Sequence, residues 1–86
     1  MNSFHLKIVA PDGVRYEGDA QSVTVCAIDG YVGILAGHTD YITPLGKGEA
    51  RLVIDGETRK ADCRDGLLTV QNGVVTLLPT VFDWKE

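Results

Sequence analysis

The sequence predicts an all-β domain, a sandwich or a flattened barrel. Three observations carry that reading. Five of the ten glycines follow Asp or Asn, and Asx-Gly is the pair that accepts the positive φ of tight hairpin turns. The stretches between these pairs are rich in Val, Ile, Thr and Tyr, and most alternate apolar with polar residues, the period of a half-buried strand. No segment shows the 3.6-residue apolar stripe of a helix over ten or more residues. At 86 residues the chain makes one domain, which buries only roughly 60–65 % of its unfolded surface. Its core has to be compact.

The strand candidates run in order as FHLKIVA, VRYEG, SVTVCAI, YVGIL, ARLVID, TRKADC, LLTVQ and VVTLL. The first ends at Pro11, where Ala10-Pro11-Asp12-Gly13 reads as a turn with proline at its second position and glycine at its end. Around Asn72-Gly73 a two-residue loop sets Val70 opposite Val75, Leu68 opposite Leu77 and Thr69 opposite Thr76, matched on both faces. Asp55-Gly56 reads differently. A two-residue loop there sets Arg51 opposite Lys60 and Leu52 opposite Arg59. A four-residue loop over 55–58 sets Arg51 opposite Asp62, Leu52 opposite Ala61 and Ala50 opposite Cys63. Charge matching favours the longer loop, with Cys63 facing inward.

Composition excludes several partners. The net charge is −4, and residues 1–43 set only Lys7 and Arg15 against Asp12, Glu17, Asp19, Asp29 and Asp40. There is no basic stripe for phosphate, so no nucleic-acid partner is expected. No apolar run approaches the roughly 20 residues of a membrane span, and no signal peptide is read at the start. The two cysteines, Cys26 and Cys63, lack a CxxC pattern and read as reduced, buried thiols. A zinc site from Cys26, Cys63, His5 and His38 has no supporting spacing.

Catalytic signals are equally thin. His38 and Asp40 with Ser22 or Thr43 can be drawn as a triad, but no hydroxyl sits on an elbow and no oxyanion arrangement is visible. His5 alternates away from Phe4 and Leu6 and reads as a solvated strand residue. Gly30-Tyr31-Val32-Gly33 lacks the context of a phosphate loop. The anomaly is residues 31–45, YVGILAGHTDYITPL, too irregular for one strand and too apolar for an ordinary loop. Val32, Ile34 and Leu35 are expected in the core. His38, Tyr41 and Ile42 suit a contact surface, so residues alone suggest a protein-interaction module with a binding edge between 29 and 45.

Three stretches carry a family resemblance: FHLKIVAPDGVRYEGDAQSVTV, DGYVGILAGHTDYITPL and DGLLTVQNGVVTLL. Together they resemble the ε subunit of bacterial F-type ATP synthases over roughly residues 3–78. The most specific part is Gly33–His38 with Thr43-Pro44-Leu45. The resemblance implies a flattened antiparallel sandwich of about ten short strands in the central stalk. It also implies a structural rotor part with no catalytic residues, cofactor or metal of its own, joining the γ subunit to the c-ring. That part sits peripherally on the cytoplasmic face of the inner membrane and meets it only through the complex.

By the same resemblance, Asp29, Gly30, Tyr31, Val32 and Gly33 face the c-ring, and His38, Thr39, Asp40, Tyr41, Ile42 and Thr43 face γ. The competing reading is a free-standing β-sandwich interaction module that shares only the fold. Departures from the family pattern are Tyr31 where an acid is common, Ala36 for a proline, and Arg64-Asp65 where small residues are usual. The family's C-terminal helical pair is not matched. The expected organisation is a sandwich over 1–78 and a short tail over 79–86, either a naturally short form or the N-terminal domain of a longer subunit. The tail TVFDWKE favours the short form, with Phe82 and Trp84 expected to fold back on the sandwich.

Overall fold

A computed structural model describes residues 2–85 of the chain. Met1 and Glu86, the outer ends of the two expected segments, lie outside the described residues. Eight strands follow one another: β1 (Phe4–Ala10), β2 (Gly13–Ala20), β3 (Ser22–Ala27), β4 (Gly30–Leu35), β5 (Tyr41–Pro44), β6 (Lys47–Ile54), β7 (Glu57–Gln71) and β8 (Val74–Trp84). They hydrogen-bond in the order β2-β1-β8-β7-β6-β3-β4, with β5 also on β7.

The two long strands explain why about ten short strands were expected. Residues 57–64 of β7 pair with β6, whereas residues 67–70 pair with β5. Along the other side, β1 joins β8 only at residues 74–77. One layer therefore contains β2, β1, the start of β8, the end of β7, and β5. The other contains β4, β3, β6, the start of β7 and the end of β8. Counted by layer, β7 and β8 each appear twice, which turns eight strands into ten segments.

The changeover lies at Asp65 and Thr80. Arg64 faces Val81 and Gly66 faces Pro79, while the residues between them drop out of the ladder. The inward side flips parity there: Ala61 and Cys63 are buried before it, Leu68 and Val70 after it, and on β8 Val75 and Leu77 give way to Phe82. Asp65 (φ 57°) and Gly66 (φ 109°) take the left-handed backbone this requires. Asp65-Gly66 is thus a corner inside a strand rather than a turn between two, which corrects the division into TRKADC and LLTVQ.

Apolar side chains from both layers meet in one core, and Leu6, Ile8, Val25, Leu52 and Leu77 are fully buried. The alternation along β1, β3 and β6 delivers them, because every second residue points inward. The β7–β8 hairpin has the expected register, with Val70 opposite Val75 and Leu68 opposite Leu77.

The β6–β7 register does not follow the expectation. Arg51 faces Lys60, Leu52 faces Arg59 and Ala50 faces Ala61. Asp55 (φ 53°) and Gly56 (φ 78°) both take positive φ, the backbone of a two-residue type I′ turn. The charges the longer loop was meant to satisfy find other partners. Arg51 Nε donates to Glu49 at 3.1 Å, and the Arg59 guanidinium lies 4.0 Å above the Trp84 ring. Shifting a register by two residues preserves the facing, so Cys63 is still buried.

The last strand runs through residue 84, past the expected boundary at 78. Phe82 is 1 % exposed, faces Cys63, and meets Trp84 edge-on at 5.0 Å. These aromatics are core and edge of the second layer, not a flap folded over it.

Candidate functional site

The stretch 31–45 resolves into two edge strands, β4 and β5, and the loop that carries the chain from one layer to the other. Gly37 takes φ 83°, and the His38 amide donates to the Leu35 carbonyl at 3.2 Å. That tight turn is why the segment reads as irregular. Ile34 is fully buried, so its neighbour Leu35 must point out and is 64 % exposed. The core role expected for Leu35 is therefore wrong, while Val32 packs half-buried against the core.

At one end of β4 stands the β3–β4 hairpin. Ala27 pairs with Gly30, so the two turn residues are Ile28 and Asp29. Ile28 is 66 % exposed, an apolar side chain at the apex beside a carboxylate. The base of this hairpin is stitched to the rest of the domain. The Ile28 amide donates to Pro44 O at 3.1 Å, Gly46 N to Cys26 O at 2.9 Å, and Leu45 N to Gly66 O at 2.9 Å. The segment 44–46 is thereby clamped between the hairpin and the β7 corner.

Tyr31 lies below the apex. It faces Cys26 in register, and its hydroxyl is 3.0 Å from where a Cβ on Gly48 would stand. The phenol thus reaches back over β6 instead of forward with Asp29. Gly30 and Gly33 are exposed, Gly33 opposite Thr24.

At the other end of β4 lies the 36–40 loop. Six residues of strand place it about 17 Å from the hairpin apex, at roughly 3.3 Å per residue. The His38 ring sits 5.8 Å from the Tyr41 ring, and its Nδ1–H donates to the Thr39 carbonyl at 2.7 Å. Asp40 Oδ1 accepts from the Asn72 amide at 3.0 Å, tying this loop to the β7–β8 turn. Thr39 and Asp40 are exposed, as is Ile42. Thr43 is not. It is 6 % exposed and faces Leu68 across the ladder, so its side chain offers nothing to a partner. Next to Ile42, the outer face of this layer carries a row in which Pro44 faces Leu67 and Leu67 faces Leu78, with both leucines exposed.

Neither chemical alternative is assembled. The Asp40 carboxylate and the His38 Nδ1 are both committed to main-chain partners, so no triad forms with Ser22 or Thr43. His5 stands beside Glu17 at 3.5 Å, far along the fold from the cysteines. Among the described residues, no group of three or more His, Cys, Asp or Glu is placed to hold a metal. Among the described residues no helix is long and apolar enough to cross a membrane.

Comparison with known proteins settles the family. The model for the ATP synthase delta/epsilon chain β-sandwich domain matches residues 3–84. The chain belongs to that family. The match takes in the whole of β8, including Phe82 and Trp84. Among the relatives, the ATP synthase epsilon chain of Bacillus velezensis is 41 % identical over 86 residues and that of Caldicellulosiruptor bescii 34 % identical over 86. Both alignments use all of this chain but only 65 % and 63 % of those relatives, so the chain spans somewhat under two thirds of their length. In a solved structure of the Euglena gracilis mitochondrial ATP synthase (OSCP, F1 and c-ring), one chain superposes with a TM-score of 0.89 at 20 % identity. That overlay covers 95 % of this chain and 53 % of the other. At that identity the overlay speaks for the fold alone.

Ile28 is the surface residue that sequence reasoning missed. Asp29-Gly30 reads as one of the Asx-Gly turn pairs, and the strand candidate SVTVCAI ends at Ile28. The available signal was the alternation Val23, Val25, Ala27, which puts the inward parity on odd positions and leaves Ile28 pointing out.

Proposed function

We propose that this chain is the sandwich part of a central-stalk subunit of an F-type ATP synthase. In that role it joins the γ subunit to the c-ring and performs no chemistry itself. Family membership through residue 84 supports the assembly. The observation that carries the two-partner role is the placement of two exposed surfaces at opposite ends of one short strand. The apex Ile28-Asp29 is apolar and acidic side by side, suited to a polar loop flanked by lipid-facing residues. The other surface combines the tilted His38–Tyr41 ring pair with exposed Ile42 and the Pro44–Leu67–Leu78 row, which suits a helical partner with an apolar face. Both sit on a rigid base, as a mechanical coupler requires. By this reading the protein lies at the cytoplasmic face of the membrane and meets it only through its partners.

The test is affinity isolation of the tagged chain from native membranes. Recovery of γ and c subunits in fixed proportion is expected. Isolation of the folded chain without either would favour the free-standing interaction module instead.

A further inference from the structure

The strands at the margins of the two layers are guarded unequally. The β2 edge carries Arg15, Glu17 and Asp19, and its pairing shifts register opposite Ile8 and Val9. The β5 edge is four residues long and closes with Pro44. The end of β8 carries Asp83 and, just beyond it, Lys85. Charge, proline, shortness and irregular pairing are the devices that keep an edge from pairing with another chain. β4 runs from Gly30 to Leu35 with no charged residue, no proline and no register shift. Among the described residues it pairs with β3 alone.

Bonding parity fixes which backbone groups are open along that edge. Gly30 closes the β3–β4 hairpin opposite Ala27. Mutually bonded pairs recur at every second position of an antiparallel ladder, so they fall at Val25–Val32 and Val23–Ile34. Tyr31, Gly33 and Leu35 therefore aim their N–H and C=O groups away from β3. The Leu35 carbonyl accepts the His38 amide and keeps a second lone pair. The same three residues are exposed, whereas Val32 is half-buried and Ile34 buried.

A strand that fits this edge has to be apolar on both faces, and β4 itself meets the requirement. A two-fold axis at Gly33 sets Gly33 opposite Gly33 of a second copy, Tyr31 opposite its Leu35, and Val32 opposite its Ile34. All three open residues then bond, and each face pairs apolar with apolar. Centring on Val32 would set Leu35 against Asp29, and centring on Ile34 would set Tyr31 against the Gly37 turn. Carried past the strand ends, the Gly33 register brings the Asp29 apex of each copy beside Ala36-Gly37-His38 of the other, a turn without an acid.

We infer that the free chain forms a two-fold dimer by antiparallel pairing of β4 with β4 of a second copy, joining one layer of each into a continuous sheet. The pairing does not rest on the central-stalk reading. By that reading both ends of β4 are occupied in the complex, so the dimer is a state of the unassembled chain.

So short an edge buries less than the roughly 1,200 Å² of a stable interface, and the dimer is therefore reversible. Sedimentation equilibrium of the purified chain over a concentration series should show the mass rising from 9.3 kDa toward twice that value. Amide exchange over the same series should slow at Tyr31, Gly33 and Leu35 and stay unchanged at Val32 and Ile34, which β3 already holds. Leu35→Lys places a charge on the edge, and Gly33→Pro removes the central donor without touching the β3 ladder. Each should abolish the rise in mass. A chain that stays at 9.3 kDa throughout overturns the inference. So does a dimer in which exchange at Tyr31 and Gly33 does not slow, or one that survives Leu35→Lys, since either moves the contact to another surface.

Discussion

A single residue fixes the backbone at the corner of β7. Gly66 takes a φ of 109°, and a Cβ there would overlap the Leu78 carbonyl of the neighbouring strand. Gly66→Ala should lose about 2–3 kcal/mol in urea unfolding, since strain of this kind costs of order 1–3 kcal/mol and the clash is with backbone that cannot swing aside. On the outer face, Lys85 Nζ bridges Glu49 at 3.0 Å and Asp62 at 3.3 Å. Hydrogen bonds from Lys85 and then Arg51 hold the Glu49 carboxyl below its ordinary 4.5, and those from Glu49 and Asp62 raise Lys85 above 10.5. A depressed carboxylate stabilises the fold above its unfolded value and loses that contribution as pH falls through the folded one. Melting temperature should therefore drop on acidification below 4.5, and less steeply in Glu49→Gln. The raised Lys85 gives the opposite limb: its contribution is present below 10.5 and fades as pH climbs past the folded value. At the level of residues the sequence was legible where one rule governed, as in Thr69 opposite Thr76. It misled at Arg51 and Arg59, because partners two residues along or on a third strand cannot be seen from one hairpin.

At the scale of elements the informative strand is β8. Its second part supplies Phe82 to the core and Trp84 to the rim, with Arg59 stacked over the indole. Trp84→Ala should cost about 2 kcal/mol, below the 3–5 of a fully buried tryptophan because one side of the ring meets only the guanidinium. Arg59→Ala should cost about 0.5–1 kcal/mol, both read by urea titration. The indole emission of the folded chain should be blue-shifted from that of the unfolded one, and a spectrum unchanged on unfolding would contradict the packing. A strand was not legible in TVFDWKE because its inward parity differs from that of VVTLL. The phase slips at Thr80, and a pattern read with a single period breaks there. β5 was hidden for a related reason: four residues beside a loop that includes Gly37 give too short an alternation.

For the whole molecule the fold class was legible almost entirely, since turn chemistry and alternation agree at most positions. Residues alone pointed to a binding edge between 29 and 45, and its division between two partners rests on resemblance and remains a proposal. Composition singles out His38 and Tyr41 but cannot tell that Thr43 points inward or that Ile28 points out. If the two ends of β4 serve two partners, substitutions should separate them. Tyr41→Ala should weaken capture of γ by about tenfold, as expected for loss of one interface aromatic, while the melting temperature moves little. Ile28→Asp should reduce retention of the c-ring and leave γ capture intact. Equal loss of both partners, tracking a fall in stability, would return these residues to a purely internal role. The corner at Asp65 and Thr80 matters most at this scale. Because the same two strands, β7 and β8, belong to both layers, the layers cannot slide over each other as two packed but unlinked sheets could. A torque applied to one is carried into the other by covalent bonds, and the apolar core has only to resist compression.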